Sequence, residues 1–169
     1  MFKFLKYIRF IARSTNQHGV HSPFVFAYVT QCLYSKKRYD DRNKTLNVLL
    51  KNLDYFKVDR LNMSQTHSLT LSSVKKHFPN IGIGDLNPEL IYVDTLTQRS
   101  FDELFSEKLG TLNHHSIILI NGIYSNMEAI ELWNRLKELS EVTVTVDMFY
   151  CGTVFFRKEQ VEEHFKIRI

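Results

Sequence analysis

Cysteine is scarce. The 169 residues hold two, Cys32 and Cys151, whose placement makes neither a metal-binding nor a redox motif, and both read as free thiols in a chain that needs no disulfide. Long apolar runs are absent, and no segment reaches the length that crossing a bilayer requires. Lys3, Lys6 and Arg9 interrupt the apolar stretch that a signal peptide would need, so a cytoplasmic protein is the expectation. Neither sign of charge is in large excess: the formal net charge is +4, much of it from Lys3, Lys6, Arg9, Arg13 and the Lys36-Lys37-Arg38 run. That is a basic end and not a stripe, and no nucleic-acid partner is expected from it. Glycine is thin, at six residues, and one pair, Gly82-x-Gly84, suggests a phosphate-binding turn. Such a turn follows a strand and opens a helix, whereas this one runs into Asn87-Pro88 and another strand, which argues against it. No internal repeat or low-complexity tract is present.

What is present is apolar and aromatic. Hydrophobic residues make up 44% of the chain and aromatic residues 13%, enough for one good core at a length that favours a single domain. The chain is organised around the stretch that begins at Glu89. Glu89–Asp94 is an apolar run closed by a carboxylate, and Ser116–Ile120 is a second, closed by Asn121-Gly122. A helix lies between them, a second follows over Met127–Leu139, and Val142–Val146 then alternates as a strand should. Strand, helix, strand, helix, strand at this spacing predicts a mostly parallel α/β sheet, with chemistry at the carboxyl ends of the strands, at Asp94 and Asn121. Val142–Phe149 and Gly152–Arg157 are separated by little more than Tyr150-Cys151, which demands a C-terminal antiparallel hairpin. His164–Ile169 alternates like a last exposed strand, and Lys158–Glu163 before it reads as a helical turn.

The first half reads as a helical N-terminal extension over 1–52 ahead of an α/β domain over 53–169. Over Phe2–Ala12 one helical face carries Phe4, Leu5, Ile8 and Ile11 and the other carries Lys3, Lys6, Arg9 and Arg13. That apolar face is expected to be buried against its own protein or a second copy; an anionic membrane surface is the alternative. Ser22-Pro23 caps a helix running to about Tyr34. A shorter helix covers Lys44–Asn52, Tyr55–Asp59 alternates enough for a strand, and Leu69–Phe78 has helical spacing closed by Pro79. In the polar loop Ser14–Ser22, His18 and His21 are either ligands or an acid–base pair, or they bond to backbone around the helix cap.

Two strings carry a resemblance: His18-Gly-Val-His-Ser-Pro-Phe-Val-Phe26 near the start, and Val142-Thr-Val-Thr-Val-Asp147 with Val154-Phe-Phe-Arg-Lys-Glu-Gln160 and His164-Phe-Lys-Ile-Arg-Ile169 at the end. Over residues 1 to 40 and 89 to 169 the chain resembles a bacterial family of class I S-adenosylmethionine-dependent methyltransferases. The resemblance implies a Rossmann-like, doubly wound sheet with a reversed final strand, and S-adenosylmethionine as cofactor. It also implies a glycine-rich turn after the first strand and a ribose-binding acid after the second. The middle of the chain departs from that pattern: it is shortened, and Arg60–Thr66 contains no glycine.

Asp94 stands where the family's fourth strand ends in an aspartate, and Asn121-Gly122 stands where metal-dependent relatives carry an acidic pair. One carboxylate and one amide make a poor magnesium site, so no metal is expected. A surviving cofactor pocket would lie at the carboxyl edge, bounded by Asp94, Thr95, Asn121 and Tyr124, with His18 or His21 toward the substrate; alternatively Asp94 only caps the turn that follows it. The expected function is a methyltransferase-like protein with lost or reduced catalysis. The alternatives are a non-catalytic binding or dimerisation module, as a possible homodimer, and a membrane-surface protein using the N-terminal helix.

Overall fold

Both faces of the runs at Leu90 and Ile117 are apolar, and the fold covers each with helices. The structure, a computed structural model, describes residues 2–40, 42–64, 68–107, 110, 112–159 and 162–169. Helix α1 (Phe2–Arg13) and a polar loop lead into α2 (Pro23–Ala27), which continues as a wider turn over Tyr28–Leu33. Ser22 caps α2, its hydroxyl accepting the Val25 N–H at 3.3 Å, as the Ser-Pro pair predicts. Then follow α3 (Lys44–Phe56), β1 (Arg60–Ser64), α4 (Ser68–His77), β2 (Gly82–Ile83), β3 (Leu90–Val93), α5 (Gln98–Asp102, continued over Glu103–Glu107), β4 (Ile117–Asn121), α6 (Met127–Lys137), β5 (Val144–Asp147), β6 (Cys151–Phe155) and β7 (Glu163–Lys166).

The seven strands lie in the order β2-β1-β3-β4-β6-β5-β7. β3 and β4 are adjacent, parallel and central, as their unbroken apolar sequence predicts. β6 is antiparallel to both β4 and β5 and sits between them, so the reversed strand of the hairpin is interior. β7 pairs parallel with β5 at the edge, and Thr15 of the N-terminal loop bridges to Ile167 beyond it. The charged stretch expected as a helical turn includes positions 160 and 161, outside the described residues; Lys158 and Glu159 form a turn.

Successive side chains of a strand point to opposite faces, and the burial follows that period. Leu61, Met63, Leu90, Tyr92, Ile117 and Leu119 pack with α2, α3 and Val74 of α4. Ile91, Val93, Ile118, Ile120 and Val154 pack with Phe101, Leu104 and Phe105 of the α5 segment and Leu132, Trp133 and Leu136 of α6. Helices α2 and α3 thus belong to the sheet's own core, and the boundary read at residue 52 falls inside α3.

Two expectations are corrected here. Tyr55–Asp59 is not a strand: Tyr55 and Phe56 complete α3, whose buried Leu46, Leu49, Leu50 and Leu53 set a helical period that those rings extend. The helix stops at Lys57, which adopts a left-handed φ of 55°, and β1 begins at Arg60. In α1 the buried side is also a different one. Phe4, Leu5 and Ile8 are 64%, 54% and 49% exposed, while Phe10 is 3% exposed and Tyr7 and Ile11 are half-buried. Aromatic contacts decide it: the Tyr7 ring lies 4.9 Å from that of Phe149 and the Phe10 ring 5.5 Å from it.

Tyr28 is fully buried, and its hydroxyl donates to Asn52 Oδ1 at 2.9 Å while lying 3.0 Å from Thr153 Oγ1. Burial holds its pKa well above the ordinary phenol value. Tyr28→Phe removes a hydrogen-bond partner from two buried polar groups and is expected to cost about 1–3 kcal/mol, seen as a lower urea midpoint with secondary structure unchanged. On the other face the Trp133 indole abuts Gly152, where an added Cβ would stand 2.4 Å from it. Gly152→Ala is expected to destabilise by about 1–3 kcal/mol through overpacking, and a melt equal to wild type would show that the indole can move aside.

Candidate functional site

Parallel strands deliver their carboxyl ends to one rim of the sheet, and Asp94, Thr95, Asn121 and Tyr124 all reach that rim behind β3 and β4. Asn121 donates from Nδ2 to the Asp94 carbonyl at 3.1 Å, so those two are brought together. The Asp94 carboxylate accepts the Tyr92 hydroxyl at 3.1 Å. Thr95 is exposed, and its carbonyl accepts the Ser100 hydroxyl at 3.1 Å. Tyr124 turns the other way and donates to Asp147 Oδ2 at 2.6 Å.

His18 and His21 are both exposed. Their loop is fastened at the far edge, where the Thr15 N–H donates to the Lys166 carbonyl at 2.8 Å. Thr15 stands five strand positions from β3, about 24 Å at the usual strand spacing. Asn16 caps the short turn by accepting the His18 N–H at 3.1 Å, and the His18 ring lies 3.3 Å from the Gln17 amide. Among the described residues no group of three or more His, Cys, Asp and Glu side chains could hold a metal ion.

Sequence reasoning missed Asp147, which closes β5 and is 3% exposed. Its second oxygen accepts the Phe149 N–H at 2.9 Å, steadying a hairpin in which Phe149 takes a left-handed φ of 68°. Tyr124 stacks on Phe149 with centroids 5.0 Å apart, and Phe10 of α1 meets both rings. An aspartate at the end of an alternating strand, followed by Phe149-Tyr150, was the available signal. Burial raises the Asp147 pKa, against the Tyr124 and Phe149 hydrogen bonds that favour the carboxylate. Cys151, opposite Asn121, has its thiol pushed up to about 12 by burial and stays protonated, as does Cys32, also pushed up to about 12.

A cavity of about 740 Å³ opens at the other rim, beside the amino ends of β1, β3 and β4. The chain passes from β2 to β3 across β1 in six residues without a helix, and Asn62, on the β1 face that this crossover meets, donates to Asp85. Asp85 is the acid that follows β2, and it lines this cavity. Phe56, Ile91, Leu112 and Phe155 give the cavity apolar walls, while Lys57, Arg60, Arg157, His114 and His115 supply cationic and imidazole groups. Its other carboxylate, Glu89, is engaged: Oε2 accepts the Asp59 N–H at 2.6 Å and the Arg60 N–H at 3.3 Å, and Oε1 lies 4.0 Å from the Arg60 guanidinium. The charged residues at the starts of strands, Arg60, Glu89 and His114-His115, were the signal for it in the sequence.

No family model, curated protein or solved structure matches this chain. The site is therefore read from its own groups. S-adenosylmethionine needs donors for its methionine end and an acceptor for its ribose hydroxyls. Among the described residues of the carboxyl rim, the Asn121 amide nitrogen donates to the Asp94 carbonyl, the Tyr124 hydroxyl donates to Asp147, and the Tyr124 ring stacks on Phe149. The loop after β1, at 65–67, lies outside the described residues.

A pH dependence follows from Asp147. A carboxyl group whose folded pKa is raised contributes most to stability below its unfolded value, ordinarily 3.8, and that contribution is lost as pH rises through the folded value. Asp147→Asn keeps the acceptor for Phe149 and removes the buried charge. Its stability relative to wild type is expected to improve from pH 4 to pH 7, measured as paired urea midpoints. A relative decline over that interval would show that the carboxylate is favoured where it sits.

Proposed function

We propose that this chain is a methyltransferase-like protein on a shortened Rossmann-like sheet, with methyl transfer lost or much reduced, and that it acts by binding a small molecule in the amino-rim cavity. The observation that carries the reading is the division between the two rims. Among the described residues of the carboxyl rim Asn121 is bonded to Asp94, Tyr124 is bonded to Asp147 and Phe10 of α1 packs on Phe149, whereas at the amino rim a cavity of about 740 Å³ stands open. That volume suits a small organic ligand. Apolar walls with a cationic rim, and carboxylates already bonded within the protein, favour an amphipathic anion such as an aromatic carboxylate.

Support for the ancestry comes from the order of elements. A parallel run of β1, β3 and β4 followed by β5, with β6 reversed and inserted, is what the resemblance in the terminal strings implies, and β2 with its six-residue crossover stands where the family has two full strand–helix units. The departure lies where cofactor-binding elements would be expected.

Calorimetric titration with S-adenosylmethionine and with S-adenosylhomocysteine is expected to give no binding heat, with no methyl transfer above background and Asp94→Ala melting like wild type. Titration with 1-naphthoate followed by nuclear magnetic resonance is expected to shift the amides of Asp85, Glu89 and His114 and to leave Asp94 and Gly122 unmoved. Micromolar cofactor binding that disappears in Asp94→Ala would overturn the loss of catalysis. Naphthoate shifts confined to the carboxyl rim would overturn the choice of cavity.

A further inference from the structure

We infer that α1 is a lateral membrane anchor, which seats its exposed apolar stripe on an anionic lipid bilayer while its other side stays bound to the sheet domain. The helix is amphipathic twice over. Phe10, with Tyr7 and Ile11 beside it, faces the aromatic hairpin, and a second arc of Phe4, Leu5, Ile8 and Ala12 faces outward. At 100° per residue those four positions span an arc of about 100°, the width of a full helical apolar face. Three large apolar side chains stand about half bare or more there, beyond what scattered surface exposure explains.

Charge selects the occupant. Arg9 and Arg13 are exposed beyond one edge of the arc, and α1 contains no acidic residue. α1 holds four of the 22 Lys and Arg residues and none of the 18 acidic ones, so 18 cationic residues are balanced by 18 acidic ones in the remainder. An anionic surface therefore attracts the helix and not the body, which orients the molecule as it lands. A second copy of this chain would press Arg9 and Arg13 against their own counterparts with no acid in the helix to offset them. Twelve residues make a helix about 18 Å long, too short to cross a bilayer and suited to lying in its headgroup boundary with arginines along one edge.

Co-sedimentation of the full chain with vesicles decides it. Wild type is expected to pellet with phosphatidylglycerol vesicles and to remain in solution with phosphatidylcholine vesicles; half a molar salt should release it, since screening weakens the attraction. Leu5→Glu combined with Ile8→Glu is expected to reduce the bound fraction about tenfold with an unchanged melt, because both side chains stand in solvent. Failure of wild type to pellet with anionic vesicles, or equal pelleting by the double variant, overturns the inference. So does a dimer in sedimentation velocity that the double variant abolishes, which would give the stripe to a second copy.

Discussion

One buried hydroxyl joins three parts of this chain that are distant in sequence. Tyr28 lies in the segment after α2, Asn52 in α3 and Thr153 in the reversed strand β6, and the Tyr28 oxygen is within hydrogen-bond reach of both. All three residues are fully buried. A polar group in such a place is costly unless paired, so each of the three fixes the positions of the others. The rings of Phe56 and Phe155 pack around Tyr28 with centroids 5.7 and 5.3 Å away, and Cys32 lies 3.5 Å from the Asn52 oxygen. The N-terminal helices are therefore built into the sheet's core, and the placement of α1 and of the amino-rim cavity follows from where they lead the chain.

The fold was readable where burial is uniform. β3 and β4 are apolar on both faces, so their sequence announces central strands, and the short break around Tyr150 permits only a hairpin. Tyr55–Asp59 was not readable in the same way. Its apolar residues alternate well enough for a strand, yet Tyr55 and Phe56 also continue the helical period of Leu46, Leu49, Leu50 and Leu53, and the longer element prevailed. In α1 the sequence shows an amphipathic helix but carries two apolar arcs. Only the aromatic surface made by Tyr124, Phe149 and Tyr150 selects between them, and that surface exists only once the hairpin has formed.

The candidate site shows the same limit at finer scale. Asp94 and Asn121 end neighbouring strands, so their proximity follows from the strand pattern. The bond between Tyr124 and Asp147 depends on β6 lying between β4 and β5, a matter of sheet order on which the periodicity of either segment is silent. The amino-rim cavity depends on how short a crossover can be. Residues 84–89 cross β1 without a helix, and Asn87 takes a left-handed φ of 49° on the way. Nothing in residue type alone says that this passage leaves a hollow beside it.

The insertion of β6 has a consequence for how the molecule comes apart. Among the described residues β5 pairs into the sheet through β6, and β7 and Thr15 through β5, so three of the seven strands hang on the seam between β4 and β6. That seam is five residue pairs long, from Ile117 opposite Phe155 to Asn121 opposite Cys151. Opening there is a sub-global event, a cooperative detachment of the C-terminal strands and not a fraying of one end. It would bare the edge of β4, whose apolar side chains and unpaired amides form a template for another chain. The same wedge that completes the core thus marks the line along which aggregation would begin.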